Sequence, residues 1–246
     1  MAENGRFVWH ELLTRDFTAS RIFYGELLGW VGEALPGYAG TPYSIFRFDG
    51  EPVAGVVTLE PNDPRSSAWL GYVAVEDVGA AIRGAAVSGG GILIPPTQLP
   101  SIGRVSVLTD PAGAPVAAWR GFGTDIPARA SEAFCWDELS VADASRVLPF
   151  YQQVFGWSPS PFQAGGWLFS AGGQQVASVM SNPGAPSHWL SHLVIEDLDW
   201  ARDRVVRLGG RIDLVEQAVP GSGRFAVITD NVGARVALFE PRVGPV

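Results

Sequence analysis

Three histidines, one cysteine and two carboxylates in aromatic surroundings are the residues of this chain that could carry chemistry. His10 and Glu11 are neighbours in FVWHELLT, which reads as a strand. Adjacent strand residues point to opposite faces, so these two do not chelate one ion together. His188 and His192 are four apart, a spacing that suits two metal ligands on a helix, but they fall within or just before the strand WLSHLVI. Cys135, in AFCWDEL, has no histidine motif to activate it and reads as a buried thiol. As the single cysteine it excludes an internal disulfide and a multi-cysteine metal site. Glu11 and Glu138 each follow a tryptophan, Trp9 and Trp136, by two residues. A carboxyl facing an apolar cavity has its pKa raised by desolvation, which suits it to act as acid or base or to anchor a ligand hydroxyl or amine. The other reading is a structural carboxylate bonded to backbone or to Arg104 or Arg224. Gly89 to Gly91 precede a strand rather than open a helix, so they make a helix-ending turn and not a phosphate cradle, and no G-x-S-x-G run is present.

The elements that must position these residues are written twice. Trp9, Glu11, Leu12, Asp16, Phe23, Tyr24, Gly29 and Trp30 return as Trp136, Glu138, Leu139, Asp143, Phe150, Tyr151, Gly156 and Trp157, at an offset of 127. Trp69, Leu70, Asp77, Gly89, Gly90, Gly103, Arg104, Thr109, Asp110, Gly113 and Ala114 return at an offset of 120, from Trp189 to Ala234. Such self-similarity is the mark of a duplicated unit. A net loss of seven residues in the loops around positions 31 to 66 reconciles the two offsets. Within each copy the pattern β, α, β, β, β occurs twice. DFTASRIFYGELLGW carries an N-cap at Asp16, apolar residues at helical spacing and Gly29 as its stop. YSIFRF and VAGVVTL flank Asp49-Gly50, a hairpin signal. WLGYVAV opens the second module, DVGAAIRGAAVSGG is its helix, and ILIPPT, GRVSVLTD and APVAAWRGF are its strands. These readings predict an α+β protein of two tandem domains, residues 1–122 and 134–246, joined by a linker at 123–133.

The order βαβββ twice per copy, the helix ends FYGELLGW and FYQQVFGW, and the turns TDPAGAPVA and TDNVGARVA resemble the vicinal-oxygen-chelate superfamily of glyoxalases, bleomycin-resistance proteins and extradiol dioxygenases. The resemblance covers nearly the whole chain. It implies paired modules that curl into a half-open β-barrel cup whose concave face holds the ligand. The superfamily's enzymes place His or Glu metal ligands at positions that here carry Trp9, Leu70 and Ala117 in the first copy and Trp136, Leu190 and Ala237 in the second. None of these side chains binds a metal, so the expectation is no metal and no cofactor. If those positions face inward, strand alternation sends Glu11, Tyr72 and Trp119 into the first cup and Glu138, His192 and Phe239 into the second, with Phe46 and Trp167 as further aromatic wall residues. Where the first copy has Tyr72 the second has His192, which could pair with Glu138 as acid and base.

Composition narrows the function further. With 17 Lys and Arg against 25 Asp and Glu, a formal charge of -8 and no basic stripe, nucleic acid is not an expected partner. The N-terminus lacks an apolar signal core and no run reaches membrane-spanning length, so the expected location is the cytoplasm. Nine tryptophans in 246 residues, two of them at ligand positions, suit a site for a flat, largely apolar molecule. The resemblance then points to metal-independent binding of a bulky aromatic polyketide or anthracycline-like antibiotic, by a sequestering protein or a biosynthetic accessory protein that serves a partner enzyme. A metal-independent isomerase, cyclase or hydrolase using Glu138 with His192, or Glu11 with Tyr72, is the alternative. The chain is expected to be a monomer or a homodimer.

Overall fold

The computed structural model describes residues 4–38, 41–99, 102–121, 133–162 and 165–242. In the first half β1 (Phe7–Thr14), α1 (Phe17–Leu28), β2 (Val31–Tyr38), β3 (Thr41–Phe48) and β4 (Glu51–Thr58) form one module. The next comprises β5 (Ala68–Ala74), α2 (Val78–Val87), β6 (Gly91–Leu99), β7 (Gly103–Thr109) and β8 (Pro115–Gly121). The second half repeats this order with β9 (Phe134–Val141), α3 (Leu148–Phe155), β10 (Ser158–Phe162), β11 (Gly166–Ala171) and β12 (Gln174–Ser181). It closes with β13 (His188–Val194), α4 (Leu198–Arg207), β14 (Arg211–Val219), β15 (Gly223–Thr229) and β16 (Arg235–Pro241). The strands make two mixed eight-stranded sheets, in the orders β2-β3-β4-β1-β5-β8-β7-β6 and β10-β11-β12-β9-β13-β16-β15-β14. The expected α+β fold of two tandem repeats is therefore present, with each sheet drawn from one half. Apart from Ala133, the expected linker lies outside the described residues.

Local chemistry explains most boundaries. The Asp16 side chain accepts from Ala19 N at 2.9 Å and opens α1, and Gly29 closes it with φ 70°. The β3–β4 turn has positive φ at both Asp49 (51°) and Gly50 (83°), as a two-residue hairpin matching strand twist requires. The second copy's first helix departs from the first. Asp143 caps only a 3-10 turn, Ala144–Arg146, and α3 starts afresh at Leu148, with Pro149 in its first turn. Pro149 lacks an N–H and would collide with the carbonyl four residues back, so one continuous helix cannot form. The seven missing residues fall in two places. The offset is 127 at Trp30/Trp157, 123 at Phe48/Ala171 and 120 at Trp69/Trp189, so four are lost from the β2–β3 hairpin and three from the connection that follows β4.

By compactness the chain divides into two units that do not coincide with the halves. One takes the described residues up to Trp9, those of the second module from Leu70, and those from Trp136 through the third module to Leu190 in β13. The other takes His10 to Trp69, the described residues 133–135, and those from Ser191 onward. In the first unit the core gathers Val73, Leu108, Val116, Leu139, Phe150, Tyr151, Trp157, Phe169 and Trp189. In the second it gathers Leu12, Phe23, Tyr24, Trp30, Phe46, Val56, Trp69, Leu193, Leu198 and Leu238.

Each core contains the same polar relay. Trp189 Nε1 donates to the Tyr151 hydroxyl at 3.1 Å, which donates to Asp110 Oδ2 at 3.0 Å. In the other unit Trp69, Tyr24 and Asp230 do the same at 3.0 and 2.9 Å. The other oxygen of each aspartate accepts backbone N–H groups of its turn, from Ala112 and Ala114 or from Val232 and Ala234. Burial raises the pKa of both aspartates, opposed by these hydrogen bonds, and pushes both tyrosines well above their usual value. The repeats at Tyr24/Tyr151, Trp69/Trp189 and Asp110/Asp230 are thus one buried network kept twice.

Candidate functional site

On β9, Leu139 and Val141 enter the core, so alternation turns Trp136 and Glu138 to the opposite face. β12 runs parallel beside it with Ser178 in register with Glu138. Trp136 Nε1 donates to Ser178 Oγ at 2.9 Å, and Ser178 Oγ donates to Glu138 Oε2 over a long 3.4 Å. Burial raises the pKa of Glu138, which the Ser178 bond partly offsets. A half-buried indole and a desolvated carboxyl, both bonded to one hydroxyl, are thereby held on a single sheet face. Ser178 was not among the residues expected here. Its signal in the sequence is that the equivalent residue of the first copy, opposite Glu11, is Gly55.

Also in the first unit, Tyr72, Leu70 and Ala117 pack with Val8, Ala74, Val105 and Val107, and Trp9 and Trp119 lie half-buried over that cluster. Tyr72 and Trp119 meet edge to face with centroids 6.4 Å apart. Trp119 is seated on Gly103, where a Cβ would come within 2.6 Å of the indole and 2.3 Å of the Arg120 carbonyl oxygen. Three of the expected wall residues, Trp9, Tyr72 and Trp119, therefore come together with two of the expected ligand-position residues, Leu70 and Ala117.

In the second unit Glu11 is buried opposite Gly55. His192 is buried in register with Ala237, and its ring lies 5.0 Å from that of Phe225. Phe225 pairs with Phe239 across β15 and β16, which brings His192, Phe225 and Phe239 to one face. Phe239 sits on Gly223, where a Cβ would come within 2.9 Å of its ring. Glu138 belongs to the first unit and His192 to the second.

Other expectations are corrected. Phe46 is fully buried, 5.6 Å from Tyr24 and 5.5 Å from Trp30 between centroids, so it is core and not wall. Its register with Ala54, which enters the same core, puts it on the helix-facing side of its sheet. Trp167 pairs with Val179 and packs against the core that holds Phe169, which also places it on the helix-facing side. Cys135 is exposed rather than buried, because Phe134 takes the inward position, and its thiol donates to the His192 carbonyl at 3.6 Å. His10 is buried in a stack on Phe134 at 3.9 Å, and His188 Nδ1 holds the Pro186 carbonyl oxygen at 2.9 Å. Arg224 is engaged by Asp199, Glu216 and Glu240. Among the described residues, no three His, Cys, Asp or Glu side chains gather where they could hold a metal ion. Among the described residues no helix is long and apolar enough to cross a membrane.

Comparison with known proteins gives concordant results. Residues 135–238 match the model of the Glyoxalase/Bleomycin resistance protein/Dioxygenase superfamily. CFP32 of Mycobacterium tuberculosis, provisionally named a glyoxylase, is 31% identical over 95% of this chain and 94% of its own length. The anthracycline biosynthesis protein DnrV of Streptomyces peucetius is 28% identical over 98% of this chain and 94% of its own. Among solved structures, the Mn(II)-bound glyoxalase of Novosphingobium aromaticivorans superposes with a TM-score of 0.65 at 14% identity, covering 98% of this chain and 83% of that one.

Proposed function

The chain belongs to the glyoxalase/bleomycin resistance protein/dioxygenase superfamily, and on that premise we propose that it binds a bulky aromatic small molecule without a metal, as a sequestering or biosynthetic accessory protein. The observation that carries this reading is the gathering of aromatic and apolar side chains on the sheet faces. The resemblance read from the sequence assigns the superfamily's metal-ligand positions to Trp9, Leu70, Ala117, Trp136, Leu190 and Ala237, side chains that would offer a divalent ion no donor. Leu70 and Ala117 instead pack into an apolar cluster topped by Trp9 and Trp119, and Trp136 stands half-buried beside a desolvated carboxyl. Indole surfaces with few polar groups suit a flat aromatic ligand. That a full-length relative is named an anthracycline biosynthesis protein supports a polyketide of this kind.

The reading is tested by titrating the intrinsic tryptophan fluorescence with a panel of polycyclic quinones, quinizarin among them. Saturable quenching at micromolar concentration or below that weakens in Trp136→Leu or Trp119→Leu is the expected result. Absence of saturable quenching by every member of the panel would refute it.

The raised pKa of Glu138 favours one second reading, a metal-independent enzyme in which this carboxyl acts as acid or base. Turnover of a bound compound that Glu138→Gln abolishes without weakening its binding would decide for the enzyme.

A further inference from the structure

We infer that Trp136, Glu138 and Ser178 form a subsite for a protonated amine carried by the aromatic ligand, with Ser178 as the positioning residue for the other two. The inference rests on the aromatic-binding reading and adds to it the charge of the ligand. Glu138 is desolvated, and among the described residues no cation is paired with it; Ser178 is the hydrogen-bond partner the structure gives it. A partly buried carboxylate without a counter-charge carries a desolvation cost, and a ligand ammonium supplies what is missing. Beside the carboxyl stands an indole, the aromatic side chain that best attracts a cation to its face. Ser178 Oγ accepts from Trp136 Nε1 at 2.9 Å and turns its own proton toward Glu138 Oε2, so one hydroxyl fixes the plane of the ring and one oxygen of the carboxyl. The other carboxyl oxygen is left for the ligand. Ser178 is itself 3% exposed, so this small network is part of the sheet rather than a surface accident.

The duplication supplies the contrast. Trp9 and Glu11 repeat Trp136 and Glu138 in the first copy, but the residue in register with Glu11 is Gly55, which offers no hydroxyl. The Trp-Ser-Glu arrangement therefore belongs to the second copy alone, and the two copies differ in the polarity of the ligand group they are built to meet.

The test compares 9-(aminomethyl)anthracene with 9-(hydroxymethyl)anthracene, which share a chromophore and a shape and differ in charge at neutral pH. The amine is expected to bind about tenfold more tightly. Glu138→Gln should erase that preference, Ser178→Ala should reduce it severalfold and Ser178→Thr, which keeps a hydroxyl, should restore it. The indole N–H proton resonance of Trp136, assigned through Trp136→Phe, should move upfield in Ser178→Ala and stay in place in Ser178→Thr. Equal affinity of both compounds for the wild type, or a preference that survives in Glu138→Gln, overturns the subsite while leaving aromatic binding intact. Failure of either compound to bind defeats the aromatic-binding reading itself, and the subsite with it.

Discussion

Replacing Tyr151 with phenylalanine removes one oxygen from the centre of the first unit and adds nothing in its place. The side chain is fully buried. Its hydroxyl accepts from Trp189 Nε1 at 3.1 Å and donates to Asp110 Oδ2 at 3.0 Å. A neutral hydrogen bond contributes about 0.5–1.5 kcal/mol net and one to a charged group about 1.5–3 kcal/mol. The variant also strands a buried indole N–H, so the loss should total about 2–4 kcal/mol. Tyr24→Phe should cost a similar amount, since Trp69 and Asp230 repeat the geometry in the second unit. The Tyr151 bond lowers an Asp110 pKa that burial has raised. Without it the folded-state pKa rises further, so the variant's deficit should widen as pH rises through that pKa and narrow in acid. Urea unfolding followed by circular dichroism and tryptophan fluorescence, repeated across pH, measures both effects. Variants that stay within about 0.5 kcal/mol of the wild type, or a deficit that does not change with pH, would refute the reasoning.

Other consequences concern single positions. A Cβ at Gly90 would lie 2.4 Å from the Phe150 ring and 2.6 Å from the Thr109 carbonyl oxygen, so Gly90→Ala should destabilise by about 1–3 kcal/mol as an overpacked core does, whereas Gly50→Ala, which meets nothing within 4 Å, should cost about 1 kcal/mol from the strain of a side chain at φ 83° alone, read in the same urea titration. Asp16→Ala removes the acceptor for Ala19 N and should cost about 1 kcal/mol, read as a lower denaturation midpoint with unchanged slope. Glu138 has a folded-state pKa raised by burial, so its contribution to stability is present below the ordinary value of 4.5 and is lost as pH rises through the raised pKa. Glu138→Gln should therefore match the wild type in acid and exceed it in unfolding free energy at pH 8; a variant less stable at pH 8 would contradict the desolvation argument.

The fold was largely legible because the chain states it twice. Asp16, Gly29 and the Asp49-Gly50 turn each carry their own local signal, and the repeat multiplies it. The strand over 31–38 had no such signal: Pro36 and the glycines around it read as loop, and its place comes from pairing with β3. The break before α3 follows from Pro149, a residue whose effect the repeat concealed because Phe150 and Tyr151 stay aligned with Phe23 and Tyr24. At the site, two-residue alternation set Trp9, Glu11, Tyr72 and Trp119 on one face; the structure has Trp9, Tyr72 and Trp119 around one apolar cluster, while Glu11 belongs to the other unit. It could not place Phe46 or Trp167, since which face of a strand meets the helix depends on pairing partners distant in sequence. Ser178 escaped because a serine in VASVMS looks like any solvated strand residue until its register with Glu138 is known. The Trp-Tyr-Asp relays were visible as matched letters, but nothing in one sequence says that Tyr151 reaches Asp110 and Tyr24 reaches Asp230.

The central claim is that an aromatic ligand is held by indole surfaces with no divalent metal. Isothermal titration calorimetry of the chelator-treated protein with the tightest binder of the quinone panel, in the presence and absence of Mn(II), Zn(II) and Mg(II), tests it directly. Metal-free binding predicts one dissociation constant throughout, with a negative heat-capacity change from apolar burial. Binding that vanishes after chelation and returns with one of the ions would contradict the account.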